Sequence, residues 1–292
     1  DVGINWMCLA FSVMQKSFSS TEIYFDYRST VTDKDITFAI NRAHERGIKV
    51  CLKPVINCSD GVWRALIDFP DGDMLERDVY WTQWFEFYSA FMCHYAEIAE
   101  DTGCEMLCIG CEMSGTERRE KEWRELIKKI RAIYSGPLVY NTNHGREEEV
   151  KWFDAVDYIG TSAYFMVGKV PGDTKENMLA EWNKVGIDMK NLSEKLKKKI
   201  IFMEIGCRSA KGCATMPWDF VHTEFERSEE EQANFYDSCL EAFHDADWFS
   251  GAFWWDWSVE VYDTIEEAKE NKGFDIHMKK AEEVLKIWYA KL

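Results

Sequence analysis

The feature that most constrains this chain is a regular alternation, from end to end, of short apolar runs with long amphipathic stretches. Most of the apolar runs are continuous, without the polar residue at every second position that marks a half-exposed strand. Continuous runs are typical of parallel strands that are buried on both faces of a sheet. We therefore predict seven strands, over Ile4–Phe11, Lys49–Ile56, Met106–Glu112, Leu138–Asn143, Tyr158–Tyr164, Ile200–Gly206 and Phe249–Trp257.

The stretches between these runs carry the start and stop signals of helices. The first follows Thr32, with Asp35 three residues on as a variant of the capping box, and it ends at Gly47. Strands that alternate with helices, and no composition break that would mark a linker, favour one α/β domain over residues 1–292. The predicted helices are Asp33–Arg46, Asp78–Asp101, Glu117–Tyr134, Asn177–Lys198, Ser228–Asp245 and Met278–Ala290.

Two architectures suit such an alternation. A doubly wound sheet usually carries a glycine-rich first turn of the G-x-G-x-x-G type, and the sequence has none. A (β/α)8 TIM barrel typically needs about 250 residues, which the 292 residues provide. Seven strands are one short of eight, so either one strand escapes notice or the chain begins after the first β/α unit. We predict an α/β fold, a (β/α)8 TIM barrel of which strands two to eight are visible.

Composition and short motifs exclude several classes of protein. The chain has 35 Lys and Arg against 52 Asp and Glu, a formal net charge of −17, which repels phosphate backbones and anionic lipid headgroups. No run approaches the roughly 18 apolar residues of a membrane-spanning helix. The six histidines form no H-x-H or H-E-x-x-H pattern, and a P-loop and a G-x-S-x-G elbow are both absent. We therefore predict no nucleic-acid or membrane partner, no metal and no cofactor.

The ten cysteines bear on the compartment. Disulfide frameworks belong to short secreted chains, whereas Cys51, Cys108, Cys111 and Cys207 lie inside or at the ends of apolar runs. Reduced thiols serve there as small core residues. This usage favours a reducing, cytoplasmic setting. Secretion stays open, because Asp1 resembles a cut rather than a native beginning.

Two glutamates stand where a β/α barrel carries its chemistry, at the carboxyl ends of strands. Glu112 ends the third predicted strand and Glu204 lies near the end of the sixth. A carboxylate at the end of an apolar strand is costly to desolvate. Two of them facing one another across a barrel mouth are what glycoside hydrolysis needs, one protonated and one ionised. The structural alternative is that both glutamates cap loop amides or pair with a lysine.

The other strand ends supply amide, imidazole, hydroxyl and indole groups that suit a sugar. Each has a plain structural alternative as well, such as core packing for an indole or neutralisation of the carboxylates for a lysine. Alternation along the last predicted strand places Trp255 and Trp257 on one face and Trp254 on the other. The candidate substrate-binding residues are Lys53, Trp63, Asn143, His144, Trp255 and Trp257, with Tyr164 beside the two acids.

These motifs resemble the clan A glycoside hydrolases, and within the clan family 113, whose known members are mainly β-1,4-mannanases. The likeness extends over nearly the whole chain in the right order. It is carried by Asn5-Trp6, Ala43-His44, Leu52-Lys53-Pro54, Trp63-Arg64, Ile109-Gly110-Cys111-Glu112, Asp157-Tyr158-Ile159-Gly160, Ala163-Tyr164-Phe165, Glu204-Ile205-Gly206-Cys207-Arg208-Ser209, Pro217-Trp218 and Gly251–Trp257.

The resemblance implies a retaining, double-displacement mechanism with Glu112 as acid/base and Glu204 as nucleophile. In this clan the acid/base follows the fourth strand and the nucleophile the seventh, so the first visible strand would be the second of the barrel. Retention predicts carboxyl groups about 5–5.5 Å apart, with Glu112 protonated and Glu204 ionised in the resting enzyme.

The remaining roles also come from the resemblance. Tyr164 would orient the nucleophile, and Trp255 would lie beneath the sugar that is cleaved. Lys53, Asn143 and Trp63 would hold hydroxyl groups and ring faces. The expected partner is a β-linked oligosaccharide or polysaccharide.

Two positions depart from the family pattern. Many clan members carry Asn immediately before the acid/base, where it binds the sugar 2-hydroxyl, and this chain has Cys111. Asn143 could reach the same hydroxyl. His144 stands in the Asn141–Glu147 loop where an aromatic residue is expected. The contacts that separate manno from gluco sugars therefore differ here.

The predicted function is hydrolysis of β-1,4-mannan or manno-oligosaccharides by an endo-acting enzyme. A retaining glycosidase for glucan or xylan, or an exo-acting β-mannosidase, keeps the mechanism and changes the sugar. A non-catalytic sugar-binding barrel is the alternative from another class of protein.

Overall fold

The computed structural model describes residues 2–72, 78–222, 224–258 and 262–291. The chain divides into two compact units. The amino-terminal unit is Asn5–Gly160, and the carboxy-terminal unit is Thr161–Leu292 with Asp1–Ile4. The division falls inside strand β6 (Tyr158–Ser162). No helix in the described ranges has the length and apolar character that crossing a membrane requires.

Parallel strands form the centre of the amino-terminal unit. Strand β1 (Trp6–Gln15) pairs along its whole length with β3 (Lys49–Cys58). Next come β4 (Met106–Cys111) and β5 (Leu138–Asn143), and the pairing between these two shifts register between Cys108 and Cys111. A two-residue strand, β2 (Ile23–Tyr24), pairs antiparallel with the end of β1.

Three helices connect these strands: α1 (Asp33–His44), α2 (Val79–Thr102) and α3 (Glu120–Arg131). Thr32 caps α1, and the reciprocal bonds between Thr32 and Asp35 confirm the predicted capping box. Short 3-10 turns lie at 64–66, 114–116 and 153–155, so two of the three follow the ends of β3 and β4.

Aromatic side chains fill the core of this unit. The rings of Trp84 and Tyr88 on α2 stack at 4.8 Å, and Trp123 on α3 stacks on Trp152 at 4.5 Å. Tyr88 and Trp123 meet edge to face at 5.6 Å, which joins the two pairs. The Tyr88 hydroxyl also donates to the Ile109 carbonyl of β4 at 2.8 Å. Many of the aromatic residues of this chain are therefore structural.

The carboxy-terminal unit continues the alternation of helix and strand. Its strands β7 (Ile200–Ile205) and β8 (Phe249–Trp254) are parallel neighbours. Trp182 is buried in its core, edge to face with Phe235 at 5.3 Å. The helices are α4 (Lys175–Leu196), α5 (Glu229–Phe243), α6 (Ile265–Glu270) and α7 (Lys280–Tyr289).

All the predicted strands and helices are present, with corrected ends. Strand β1 continues to Gln15 instead of ending at Phe11, because β3 pairs with it as far as Cys58. Strand β8 ends at Trp254, three residues before the predicted end, because the pairing with β7 stops at Ile205. The two-residue strand β2 and the helix α6 were not predicted.

Candidate active site

Glu112 follows β4 directly, and its backbone adopts a left-handed conformation with φ of 55°. Its N–H donates to the Asn141 carbonyl at 2.7 Å, which ties the residue to β5. A positive φ is uncommon for a residue other than glycine, and such strained positions concentrate at functional sites. The Glu112 side chain is largely buried, so its carboxylate needs partners within the protein.

Two donors supply those partners, and both come from the loop after β3. Arg64 Nη1 donates to Glu112 Oε2 at 2.8 Å, and Trp63 Nε1 donates to the same oxygen at 3.3 Å. Arg64 is itself held by two more bonds, from Nε to the Ile56 carbonyl at 2.9 Å and from Nη2 to Asn57 Oδ1 at 2.7 Å. Both side chains of the Trp63-Arg64 motif therefore donate hydrogen bonds to Glu112.

Lys53 does not stand at a strand end. It lies in the middle of β3 and is almost completely buried. The alternation of the strand places Lys53 and Asn57 on the same face. Asn57 Nδ2 donates to Ser12 Oγ of β1 at 2.6 Å. Asn57, on the face of β3 that carries Lys53, thus links Arg64 to β1.

The end of β5 lies beside the loop that carries Glu112. Asn143 Nδ2 donates to Ser114 Oγ at 3.0 Å, and Asn141 Nδ2 donates to Cys111 Sγ at 3.3 Å. Asn143 is therefore close to the loop that follows the predicted acid/base. His144 lies in the turn that follows β5.

A third carboxylate, Glu117, joins the same loop to β5. It is buried and accepts hydrogen bonds from Tyr140 Oη at 3.0 Å, Thr142 Oγ1 at 2.6 Å and Arg146 Nε at 3.4 Å. Burial raises the pKa of the Glu117 carboxyl, while the two hydroxyl donors and Arg146 lower it in part. Glu117 therefore joins this loop to β5 through two hydroxyl groups and an arginine.

Glu204 lies in β7 of the carboxy-terminal unit, one residue before the end of the strand. The Tyr164 hydroxyl donates to Glu204 Oε2 at 3.1 Å, and the Ala163 N–H donates to the Glu204 carbonyl at 2.6 Å. Tyr164 is mostly buried, and its ring meets Phe274 edge to face at 6.5 Å. This hydrogen bond restricts the orientation of the Glu204 carboxylate.

The three tryptophans at the end of β8 differ in their contacts, but strand alternation does not set the directions of Trp255 and Trp257, because the strand ends at Trp254. Trp254 stacks on Tyr236 at 4.1 Å and donates through Nε1 to Tyr289 Oη at 3.0 Å, so it packs against α5 and α7. Trp255 is 39% exposed and Trp257 is 55% exposed. The indoles of Trp255 and Trp257 are therefore more accessible to a ligand than that of Trp254.

Four polar groups of the carboxy-terminal unit cluster near these tryptophans. Lys279 Nζ donates to Ser209 Oγ at 3.0 Å. Burial lowers the pKa of Lys279 to about 8, although Asp275 acts in the opposite direction. Burial, together with Asp275, raises the pKa of the Asp256 carboxyl. In the described ranges, no group of three or more His, Cys, Asp or Glu side chains is placed to hold a metal ion.

Sequence reasoning missed Arg64, Asn57 and Glu117 as members of these networks. Arg64 had a signal, since it follows Trp63 in a motif of the family resemblance. Asn57 and Glu117 had no such signal in the sequence. Asn57 lies past the predicted end of its strand, and Glu117 begins a predicted helix, where an acidic residue is ordinary.

Comparisons with known proteins agree with this arrangement. The model of Glycoside Hydrolase Family 113 matches residues 1–279. A solved GH113 β-1,4-mannanase complex is 34% identical with a TM-score of 0.88, over 99% of this chain and 88% of that chain. The GH113 β-mannanase AaManA from Alicyclobacillus acidocaldarius, in complex with ManMIm, is 38% identical with a TM-score of 0.87, over 98% and 87%.

More distant structures share the fold alone. A fungal β-1,4-galactanase structure is 12% identical with a TM-score of 0.62, over 99% of this chain and 88% of that chain. A comparison with curated protein sequences found no match.

The fold and the family match define the class of protein: the chain is a glycoside hydrolase. More particularly, it belongs to glycoside hydrolase family 113. The predicted resemblance is confirmed, as is the TIM-barrel type of α/β fold that these relatives share with it. The absence of a first β/α unit stays a prediction.

Proposed function

We propose that the enzyme is a retaining endo-β-1,4-mannanase, with Glu204 as nucleophile and Glu112 as acid/base. The observation that carries the proposal is the Tyr164 hydroxyl bound to Glu204 Oε2 at the carboxyl end of a parallel strand. The two structures of highest identity above are β-mannanases, one of them in complex with ManMIm. Both supports point to attack by an oriented carboxylate on a mannoside.

The reaction has two displacements. In the first, Glu204 attacks the anomeric carbon while Glu112 gives its proton to the glycosidic oxygen, and the carbon–oxygen bond to the leaving sugar breaks. In the second, Glu112 takes a proton from water, the water oxygen attacks the anomeric carbon, and the bond to Glu204 breaks. Each displacement inverts the anomeric centre, so the product keeps the β configuration.

Sugar contacts follow from the exposed indoles and from the polar groups at strand ends. Trp255, Trp257 and the half-exposed Trp63 offer faces on which a pyranose ring stacks. Asn143 and His144 lie at the end of β5 and would bind hydroxyl groups. Lys53 would bind a hydroxyl group of the sugar from its position within β3.

The test of substrate is hydrolysis of mannohexaose, cellohexaose and xylohexaose in parallel, with products sized. We expect a ladder of manno-oligosaccharides from mannohexaose alone, and no product from Glu204→Ala. Cleavage of cellohexaose or xylohexaose would contradict the proposed substrate but not the proposed mechanism. Release of mannose alone would indicate exo action. Binding without cleavage, unchanged in Glu204→Ala, would favour a sugar-binding protein.

The test of mechanism is the configuration of the first product. Proton NMR of a fresh digest shows which anomer forms before mutarotation. We expect the β anomer. The α anomer would mean a single displacement and would contradict nucleophilic attack by Glu204.

A further inference from the structure

The two carboxylate oxygens of Glu112 differ in the hydrogen bonds that they accept. Arg64 Nη1 and Trp63 Nε1 both donate to Oε2. Within the described residues of the amino-terminal unit, Oε1 accepts no hydrogen bond. One oxygen is therefore fixed by protein donors, and the other is left for a ligand.

The guanidinium that fixes Oε2 has a defined position of its own. Its Nε, Nη1 and Nη2 donate to three different acceptors, on Ile56, Glu112 and Asn57. Asn57 is tied in turn to Ser12 Oγ of β1. Little of either side chain in the ion pair is exposed, 18% for Arg64 and 10% for Glu112. The pair is therefore unlike the flexible surface ion pairs that contribute almost nothing.

A cation on a general acid creates a chemical conflict. An arginine beside a carboxylate favours the ionised form, whereas the first displacement needs Glu112 protonated. The conflict is resolved because both protein donors bond to the same oxygen, Oε2. Arg64 has five N–H donors and no acceptor, so a proton on Oε2 would displace its bond. The proton therefore belongs on Oε1, which accepts no hydrogen bond from the part of this unit that the structure describes.

We propose that Arg64 is a positioning residue for the acid/base: it holds Glu112 Oε2, so that Oε1 carries the proton that is exchanged with the glycosidic oxygen. This inference rests on the proposed function of Glu112. In the first displacement the proton leaves Oε1 as the glycosidic bond breaks, and in the second Oε1 receives a proton from water. Arg64 stays protonated throughout and stabilises the carboxylate that each turnover creates.

The dependence of rate on the leaving group separates this role from a structural one. An alkoxide leaving group, as in mannohexaose, needs the proton of Glu112. A 2,4-dinitrophenolate leaves without it, so the 2,4-dinitrophenyl glycoside of mannotriose reports on nucleophilic attack alone. Both substrates are read as kcat/KM, which includes the steps up to the first irreversible bond cleavage.

We expect Arg64→Met to lower kcat/KM for mannohexaose about 100-fold, since general acid catalysis typically supplies 10²- to 10⁴-fold. The dinitrophenyl substrate should lose less than about fivefold. Arg64→Lys should recover part of the loss, because it restores the charge without the planar fork. Arg124→Met is the matched control, since it removes a guanidinium that pairs with Glu120 and Asp154. It should change neither value.

Equal losses on both substrates, or no loss on either, would overturn the role of Arg64. If Arg64→Met does not fold, Asn57→Ala removes the Nη2 acceptor and should give the same split in weaker form. Equal losses there would overturn the role as well. A wild-type enzyme that cleaves no mannoside would instead overturn the proposed function, and the role of Arg64 would fall with it.

Discussion

At the scale of single residues, each candidate catalytic carboxylate has its own hydrogen-bond donors. The Glu112 carboxylate accepts hydrogen bonds from Arg64 and Trp63, and the Glu204 carboxylate accepts one from Tyr164. The donors differ in charge, since Glu112 has a guanidinium and Glu204 a neutral hydroxyl. Each carboxylate is thus held within its own unit by a different kind of donor.

Removing the Tyr164 hydroxyl should weaken the nucleophile. A hydrogen bond to a charged group contributes about 1.5–3 kcal/mol, so Tyr164→Phe should lower kcat roughly 10- to 100-fold on mannohexaose. Tyr80→Phe, which changes an exposed tyrosine of α2, is the control and should leave kcat unchanged. An equal kcat for Tyr164→Phe and wild type would mean that the contact has no part in catalysis.

Lys279 should make folding stability depend on alkaline pH. Burial lowers its pKa to about 8 from the ordinary 10.5. Between these values the unfolded chain binds a proton that the folded chain has released, so the free energy of unfolding rises with pH. The difference between wild type and Lys279→Met should grow by about 3 kcal/mol from pH 7.5 to 10.5.

Denaturant unfolding at several pH values measures this difference. Lys190→Met removes an exposed lysine and is the control. Its difference from wild type should stay constant with pH. A constant difference for Lys279→Met as well would show that the lysine keeps its proton in the fold.

The sequence could predict candidate catalytic residues, but not the contact of Glu112 with Arg64. Glu112, Glu204 and Tyr164 each follow or end an apolar run, and that position in the run is visible in one dimension. The contact of Arg64 with Glu112 depends on the path of two loops, which no periodicity encodes. Lys53 shows the opposite error, since it was grouped with the strand-end residues although it lies in the middle of β3 and is buried there.

At the scale of elements, the loop after β4 lies directly against the loop after β3. A Cβ on Gly115 would stand 2.3 Å from the Ile67 carbonyl oxygen, which is backbone and has little freedom to move. The first loop carries Glu112 and the second carries Arg64. The absence of a side chain at Gly115 therefore allows the close approach of the two loops that carry Glu112 and Arg64.

Gly115→Ala should force the two loops apart. We expect it to destabilise the protein by about 1–3 kcal/mol, as overpacking does, and to lower kcat/KM on mannohexaose about tenfold or more. Gly47→Ala is the matched control. Its Cβ would meet nothing within 4 Å, but its φ of 69° imposes backbone strain far from Glu112 in the sequence. It should lose stability and keep full activity when folded.

Equal activity losses for the two glycine variants at equal folded fraction would contradict this account of Gly115. The ends of some elements were predictable, as in β5, whose observed and predicted ends coincide. They were not predictable at Trp254, because the end of β8 is set by where its neighbour stops.

At the scale of the whole molecule, the high aromatic content could mean a large aromatic core or a sugar-stacking surface. The aromatic residues are divided between a stacked core and a few exposed indoles. All ten cysteines lie in the described residues, none of them forms a disulfide, and eight are buried. The α/β alternation was predictable from patterning alone, whereas the division into two compact units has no signal in composition.

The thiols give a direct test of that interior. Burial raises the pKa of buried thiols such as Cys239, which slows their reaction as thiolates. At pH 7.5 a thiol reagent should label the two partly exposed residues, Cys8 and Cys93, first. All ten should react in denaturant without reductant. Eight would instead indicate a disulfide between Cys207 and Cys213, whose sulfurs lie 3.0 Å apart.

The central claim is that Glu204 forms a covalent bond to mannose, and trapping that bond tests it most directly. A 2-deoxy-2-fluoro-β-mannosyl fluoride has a good leaving group and a slowed second displacement, so the glycosyl-enzyme accumulates. Mass spectrometry of a peptic digest should show one fluoromannosyl group on the peptide that contains Glu204, and none in Glu204→Ala. A label on another residue, or no label in an enzyme that still cleaves mannohexaose, would contradict the assignment of the nucleophile.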